Sequence, residues 1–237
     1  MTDVLYVAAR APRPGFAKTR LGKALGHERA NLLYAAFLQD LAARLAAAPF
    51  SVGWYVTPED AWDDLCELVA PPLAPGAPQR PEAPRGPVLV QGPGDWATRQ
   101  QALFDGAPAR GERRTVLIAS DSPHVLLDPL VEAFALLDRH DLVLGPVDDG
   151  GYYLIGMRGP FDVLGGVPMS TRTVLDEIVA RAEGQGLSVG FVEPTFDVDE
   201  AADLARLAEL AATRDDLPAT RRALGELGSA FSRDIGP

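Results

Sequence analysis

The chain opens on a short, unbroken apolar run, Val4-Leu5-Tyr6-Val7-Ala8-Ala9, and similar runs recur along its length. A continuous apolar stretch this short, bounded by charged or turn residues, predicts a strand buried on both faces. The same pattern predicts strands at 51–56 (ended by Thr57-Pro58), 88–91, 116–120, 141–145, 152–156 and 188–192. Between them the period lengthens. Leu33, Phe37, Leu41 and Leu45 fall four apart within 27–47, which lays one apolar stripe along a helix. Shorter helices are predicted through Trp62, Leu65 and Leu68, around 128–139 and near 172–184. The tail from Glu200 reads as helical, with Leu204, Leu207 and Leu210 on one side. Strands alternating with helices predict an α/β fold with a mixed, mainly parallel sheet and helices on both faces.

Two stretches break the pattern. Residues 10–22 form a basic loop punctuated by proline and glycine, and 71–94 contain eight prolines. So many prolines cannot sit inside regular elements, so 71–94 reads as a surface loop around one short strand rather than a linker. The flanks are each too short for a separate α/β domain, and 1–237 reads as a single nucleotide-binding domain.

Composition narrows the class. With 47% hydrophobic and 23% charged residues the chain is ordinary globular material. The one cysteine, Cys66, excludes an internal disulfide, packs as a helix residue and suits a reducing cytoplasm. No apolar run reaches the roughly 18 residues of a membrane helix, and the N-terminus lacks a signal-peptide pattern, so a cytoplasmic protein without a membrane partner is expected. A net charge of −11 argues against nucleic acid as a partner, although clustered cations can still hold one small polyanion.

Four segments at or near predicted strand ends carry charge or glycine, which matters because ligands of open α/β sheets sit beyond the carboxyl ends of the strands. The first runs from Ala9 and Arg10 through Pro12, Arg13, Gly15, Lys18 and Arg20. It holds four cations in a chain that is acidic elsewhere. Gly15 allows close backbone approach, and Lys18 and Arg20 are suited to phosphate oxygens. It is no P-loop, because Pro12 and Ala17 stand where that motif needs glycine. The second, Ser120-Asp121-Ser122-Pro123, places a carboxylate after the most apolar strand, suited to a hard divalent cation or, equally, to a helix cap. The third, Asp148-Asp149-Gly150-Gly151-Tyr152, is either a ligand-facing turn or a plain hairpin. The fourth is Phe196-Asp197-Val198-Asp199. Its two aspartates share a face if extended and can join Asp121 at a metal, whereas Glu200 and Asp203 suit a helix N-terminus. His27, His124 and His140 have no ligand spacing, and neither a serine-nucleophile elbow nor a dinucleotide fingerprint occurs.

In order along the chain, Ala11-Pro12 through Lys18-Thr19-Arg20-Leu21, Gln91-Gly92 with Gly94-Asp95, Ser120-Asp121-Ser122-Pro123, Gly145-Pro146 through Asp149-Gly150-Gly151-Tyr152-Tyr153, Ser170-Thr171 and Asp197-Val198-Asp199 resemble one family. It is the bacterial glycosyltransferase-A-type, uncharacterised-domain family related to 2-phospho-lactate guanylyltransferase and molybdenum-cofactor guanylyltransferase. The resemblance implies a Rossmann-like nucleotide-diphosphosugar transferase fold. It implies metal ligation by Asp121 with Asp199 and Asp197, for which Mg²⁺ (or Mn²⁺) is expected; nucleotide contacts are expected from Ala9, Arg10, Pro12, Gly15, Lys18, Arg20, Asp95, Gly150 and Gly151. Lys18, Asp121 and Asp149 are the expected catalytic residues. Two positions depart from the family pattern: a single carboxylate replaces its paired aspartates, and Trp96 stands where leucine is common.

The expected function is a metal-dependent nucleotidyltransferase that joins a nucleoside triphosphate to a small phosphorylated acceptor and releases pyrophosphate. The alternatives are a glycosyltransferase that uses a nucleotide sugar, with Asp148 or Asp149 as base, and a non-catalytic nucleotide-binding module.

Overall fold

The computed structural model describes residues 2–70, 86–169 and 171–234. The proline-rich stretch is thus outside the described residues from 71 to 85, and so is Ser170. The first strand, β1 (Thr2–Arg10), is followed by helices α1 (Thr19–Leu25) and α2 (His27–Leu45) and strand β2 (Ser51–Thr57). Next come α3 (Ala61–Leu65), β3 (Val88–Val90), α4 (Trp96–Gly106), β4 (Glu112–Ala119) and α5 (Leu127–Leu136). The remainder is β5 (Leu142–Pro146), β6 (Tyr152–Met157), α6 (Val174–Gly184), β7 (Val189–Phe191), α7 (Asp203–Thr213) and α8 (Pro218–Asp234).

Among the described residues these strands form one seven-stranded sheet in the order β3-β2-β1-β4-β6-β5-β7. It is mixed and mainly parallel, because β6 alone runs against both of its neighbours, β4 and β5. The apolar runs explain the order. Val4 to Val7 and Val116 to Ile118 are almost wholly buried, as befits central strands covered on both sides. One side packs Leu5, Val7, Val116 and Ile118 under α2 and α5, with Leu33, Phe37, Leu41, Leu130 and Phe134. The opposite side packs Tyr6, Leu117, Leu144 and Ile155 against Leu103 and Phe104 of α4 and Ile178 of α6.

The antiparallel strand has a consequence for the site. It pairs Leu154 with Ile118, so the start of β6 and the turn before it stand at the edge where β1 and β4 end. Residues 148–151 are therefore a hairpin connection, with Val147 N–H donating to Gly151 O at 3.1 Å. Gly150 has φ of 89° and lies hard against the Arg172 backbone, so a side chain there is excluded on both counts.

Two helices were absent from the sequence reading. Thr19–Leu25 is helical within the expected basic loop, and Trp96–Gly106 fills a stretch for which no element was expected. In α4 the inward position Gln100 is fully buried yet polar, which interrupts the apolar period. Its amide is paired with the Tyr152 hydroxyl at 2.8 Å, so burial leaves it satisfied. The expected helical tail is divided into α7 and α8, and Asp40 of α2 accepts the Ala219 and Thr220 backbone N–H groups where α8 begins.

Candidate active site

A cavity of about 550 Å³ lies beyond the carboxyl ends of β1, β3 and β4. Such a position and size suit a small-molecule ligand. It is walled by Ala8, Ala9 and Arg10 at the end of β1, by Ala17 to Arg20 at the start of α1, and by Tyr34 of α2. Gln91, Asp95, Trp96 and Arg99 close the second side, and Ala119, Ser120, Asp121 and Asp199 the third. The cationic opening of the chain and the acidic segments of its middle and far end thus converge on one place.

The four cations of the first loop divide in two. Arg13 is turned away, to Asp60 at 3.1 Å and Asp64 at 2.6 Å. Lys18 is turned inward: its side chain is 2% exposed, and its ammonium meets Asp121 Oδ1 at 2.6 Å, Val198 O at 2.8 Å and Asp199 Oδ1 at 3.2 Å. Burial works against that charge, but the two carboxylates outweigh it and hold the pKa above the usual lysine value. Lys18, expected at phosphate, thus has its ammonium engaged by two carboxylates and a backbone carbonyl. Arg10 and Arg20 do face the opening, the Arg20 side chain being 59% exposed with only a loose 3.6 Å pairing to Asp199.

The backbone follows from these contacts. Lys18 precedes the first turn of α1 with φ of 49°, the only non-glycine residue of positive φ among the described residues. Gly15 has φ of 84° with open space around it, so it serves the turn. Neither Gly15 nor Pro12 lines the cavity. Asp95 does, but its Oδ1 caps α4 by accepting Thr98 N–H at 2.8 Å.

The acidic residues are also unequal. Asp121 and Asp199 are about two-fifths exposed and front the cavity, with the buried Lys18 ammonium behind them. Asp197 accepts from Ser122 Oγ at 2.6 Å. Burial first, and then the Asp121 charge, push its carboxyl up to about 7. A divalent ion asks for several unencumbered hard oxygens. Here one oxygen of each fronting carboxylate is taken by Lys18, and among the described residues no group of three or more His, Cys, Asp or Glu is gathered for a metal. Of the three aspartates expected at a metal, Asp121 and Asp199 thus share the Lys18 ammonium, and Asp197 is paired with Ser122.

The hairpin residues stand apart. Asp149, Gly150 and Gly151 do not line the cavity, and Asp149 Oδ1 accepts Gly151 N–H at 3.0 Å in an ordinary turn contact. Asp148 is paired with Arg206 at 2.5 Å.

Tyr34 and Arg99 are lining residues that the sequence reading missed. Tyr34 lies on the apolar stripe of α2, where an aromatic reads as core, and its hydroxyl accepts Arg10 N–H at 3.0 Å. Arg99 sits on the unforeseen α4, and the Asp95-to-Thr98 cap was the one signal for that helix.

Comparison with known proteins bears on the fold. A protein of Desulfovibrio desulfuricans G20, named among the nucleotide-diphospho-sugar transferases, matches with a TM-score of 0.81 and 27% identity over 99% of this chain and 98% of its own. The fold is that of the nucleotide-diphosphosugar transferases. Within this transferase fold lie a cytidylyltransferase of Leptospira borgpetersenii (TM-score 0.55, 14% identity, 98% and 96% covered) and a CMP:2-keto-3-deoxy-manno-octonic acid synthetase bound to CTP (0.53, 12%, 90% and 99%). Residues 62–171 match a family described as an uncharacterized protein conserved in bacteria (DUF2064). No curated protein matches the chain.

Proposed function

We propose that this transferase moves a nucleotidyl group from a nucleoside triphosphate to a small phosphorylated acceptor, releasing pyrophosphate. The observation that carries the reading is the pair of exposed guanidinium groups, Arg10 and Arg20, at a cavity beyond the ends of β1 and β4. Guanidinium groups match phosphate oxygens in charge and fork geometry. Arg99 adds a third cation across the opening.

The chemistry asks little more of the protein. An acceptor phosphate oxygen attacks the α-phosphorus, the bond from that phosphorus to the bridging oxygen breaks, and pyrophosphate departs with its new charge met by arginine. Positioning and charge neutralisation supply most of the acceleration in such transfers. A phosphate acceptor is already anionic near neutral pH and needs no base, which accords with Asp149 lying outside the cavity lining.

A second reading, glycosyl transfer from a nucleotide sugar, is favoured by the name of the Desulfovibrio relative. A hydroxyl acceptor would then need a base, and Asp148, the nearest candidate in sequence to Asp149, is engaged by Arg206. The test supplies each nucleoside triphosphate with Mg²⁺, then each nucleotide sugar, and follows pyrophosphate and nucleoside diphosphate. Pyrophosphate release from a triphosphate, with a matching rise in melting temperature, is expected. Turnover confined to nucleotide sugars would reverse the assignment.

A further inference from the structure

We propose that the Lys18 ammonium is the resident cation of the Asp121–Asp199 pair, so that the protein by itself holds no divalent metal ion there. An ammonium has three protons to donate, and the three short contacts to Asp121 Oδ1, Val198 O and Asp199 Oδ1 use all of them. The group is also shielded, at 2% exposure, while the carboxylates it joins are open to the cavity. The same residue keeps a left-handed backbone conformation that residues other than glycine seldom adopt.

A divalent ion on the same two oxygens would sit about 2.0–2.6 Å from each, against the buried ammonium. Like charges at contact inside a protein repel strongly, so ion and ammonium exclude one another. The remaining carboxyl, Asp197, is held by Ser122 on its own side. Lys18 offsets one of the two negative charges that Asp121 and Asp199 turn toward an incoming polyanion, and Arg20, 3.6 Å from Asp199, offsets the other. The inference stands on these contacts whichever group the enzyme transfers.

Mn²⁺ titration followed by electron paramagnetic resonance tests it on the full chain without nucleotide, using wild type, Asp121→Asn, Lys18→Met and the double variant. Wild type and Asp121→Asn are expected to show the same weak binding, on the order of millimolar or weaker. Lys18→Met is expected to gain a site at least about tenfold tighter, lost again in the double variant. A wild-type site that Asp121→Asn removes would overturn the proposal, as would a folded Lys18→Met protein that gains nothing. Should Lys18→Met fail to fold by circular dichroism, wild type against Asp121→Asn decides alone: superimposable curves support the resident ammonium, and a difference refutes it.

Discussion

The Tyr34 hydroxyl lies 2.9 Å from Ser120 Oγ and 3.0 Å from the Arg10 backbone nitrogen, tying α2 to the ends of both β4 and β1 at the cavity wall. Burial holds this phenol well above its ordinary pKa, so it stays protonated and serves as a hydrogen-bonding bridge. Tyr34→Phe removes the acceptor of the Arg10 N–H and the partner of Ser120. A loss of about 1–3 kcal/mol is expected, read as a fall of several degrees in melting temperature. Nucleotide-induced stabilisation should shrink as well; a variant that melts and binds like wild type would show that the bridge does not shape the site.

The two fates of the loop arginines make a matched pair. Arg20→Ala and Arg10→Ala should each weaken triphosphate binding about tenfold or more, most clearly at low salt, with little change in stability. Arg13→Ala, whose partners are Asp60 and Asp64, should leave affinity unchanged, and with its ion pairs exposed to solvent it should barely move the melting temperature. Calorimetric titration with a triphosphate separates them, and equal losses in all three would dissolve the distinction.

His124 gives a pH signature. It stacks on Phe196 at 4.0 Å, its Nε2 meets Thr195 Oγ1 at 2.9 Å, and its Nδ1 is buried without a partner. Burial first, then Arg214, Arg206 and Arg44, lower its pKa to about 3 from 6.5. The folded state therefore prefers the neutral ring. The stability this represents is complete above pH 6.5, falls as the unfolded chain takes up the proton, and is lost down to about pH 3. Relative to His124→Phe, wild type should lose about 3 kcal/mol between pH 7.5 and pH 4 in urea denaturation. Parallel profiles for the two proteins would mean that the ring is not held neutral.

Gly150→Ala should destabilise the hairpin by roughly 2 kcal/mol or more, since φ of 89° and the Arg172 backbone both reject a Cβ. Leu175 N–H donates to Gly150 O, so α6 should loosen too, which amide exchange across 174–184 would detect. Unaltered exchange there would argue that the loop and helix are independent.

Much of this was legible in the sequence, for physical reasons. Fully buried stretches such as 116–118 announce themselves as unbroken apolar runs, and the charged residues that follow them, Arg10 and Asp121, mark the edge where the cavity lies. What escaped was what depends on partners far along the chain. Gln100 reads as surface until Tyr152 is seen beside it. Lys18 reads as a phosphate hook until Asp121 and Asp199 are found against it, and Arg13 reads like Arg10 until Asp60 and Asp64 appear. The reversed direction of β6 was equally hidden, because an apolar run has no polarity.

Val198 supplies a backbone carbonyl to a side chain from near the other terminus, and this shapes how kinship should be judged. The stretch that matches the bacterial family, 62–171, includes Asp121 but neither Lys18 nor Asp199. Relatives gathered by that middle segment alone would be pooled on a single acidic residue, whatever stands at the two ends. Sorting them instead by the outlying lysine and aspartate together would separate chains that can close this knot from those that must balance the same carboxylate by other means.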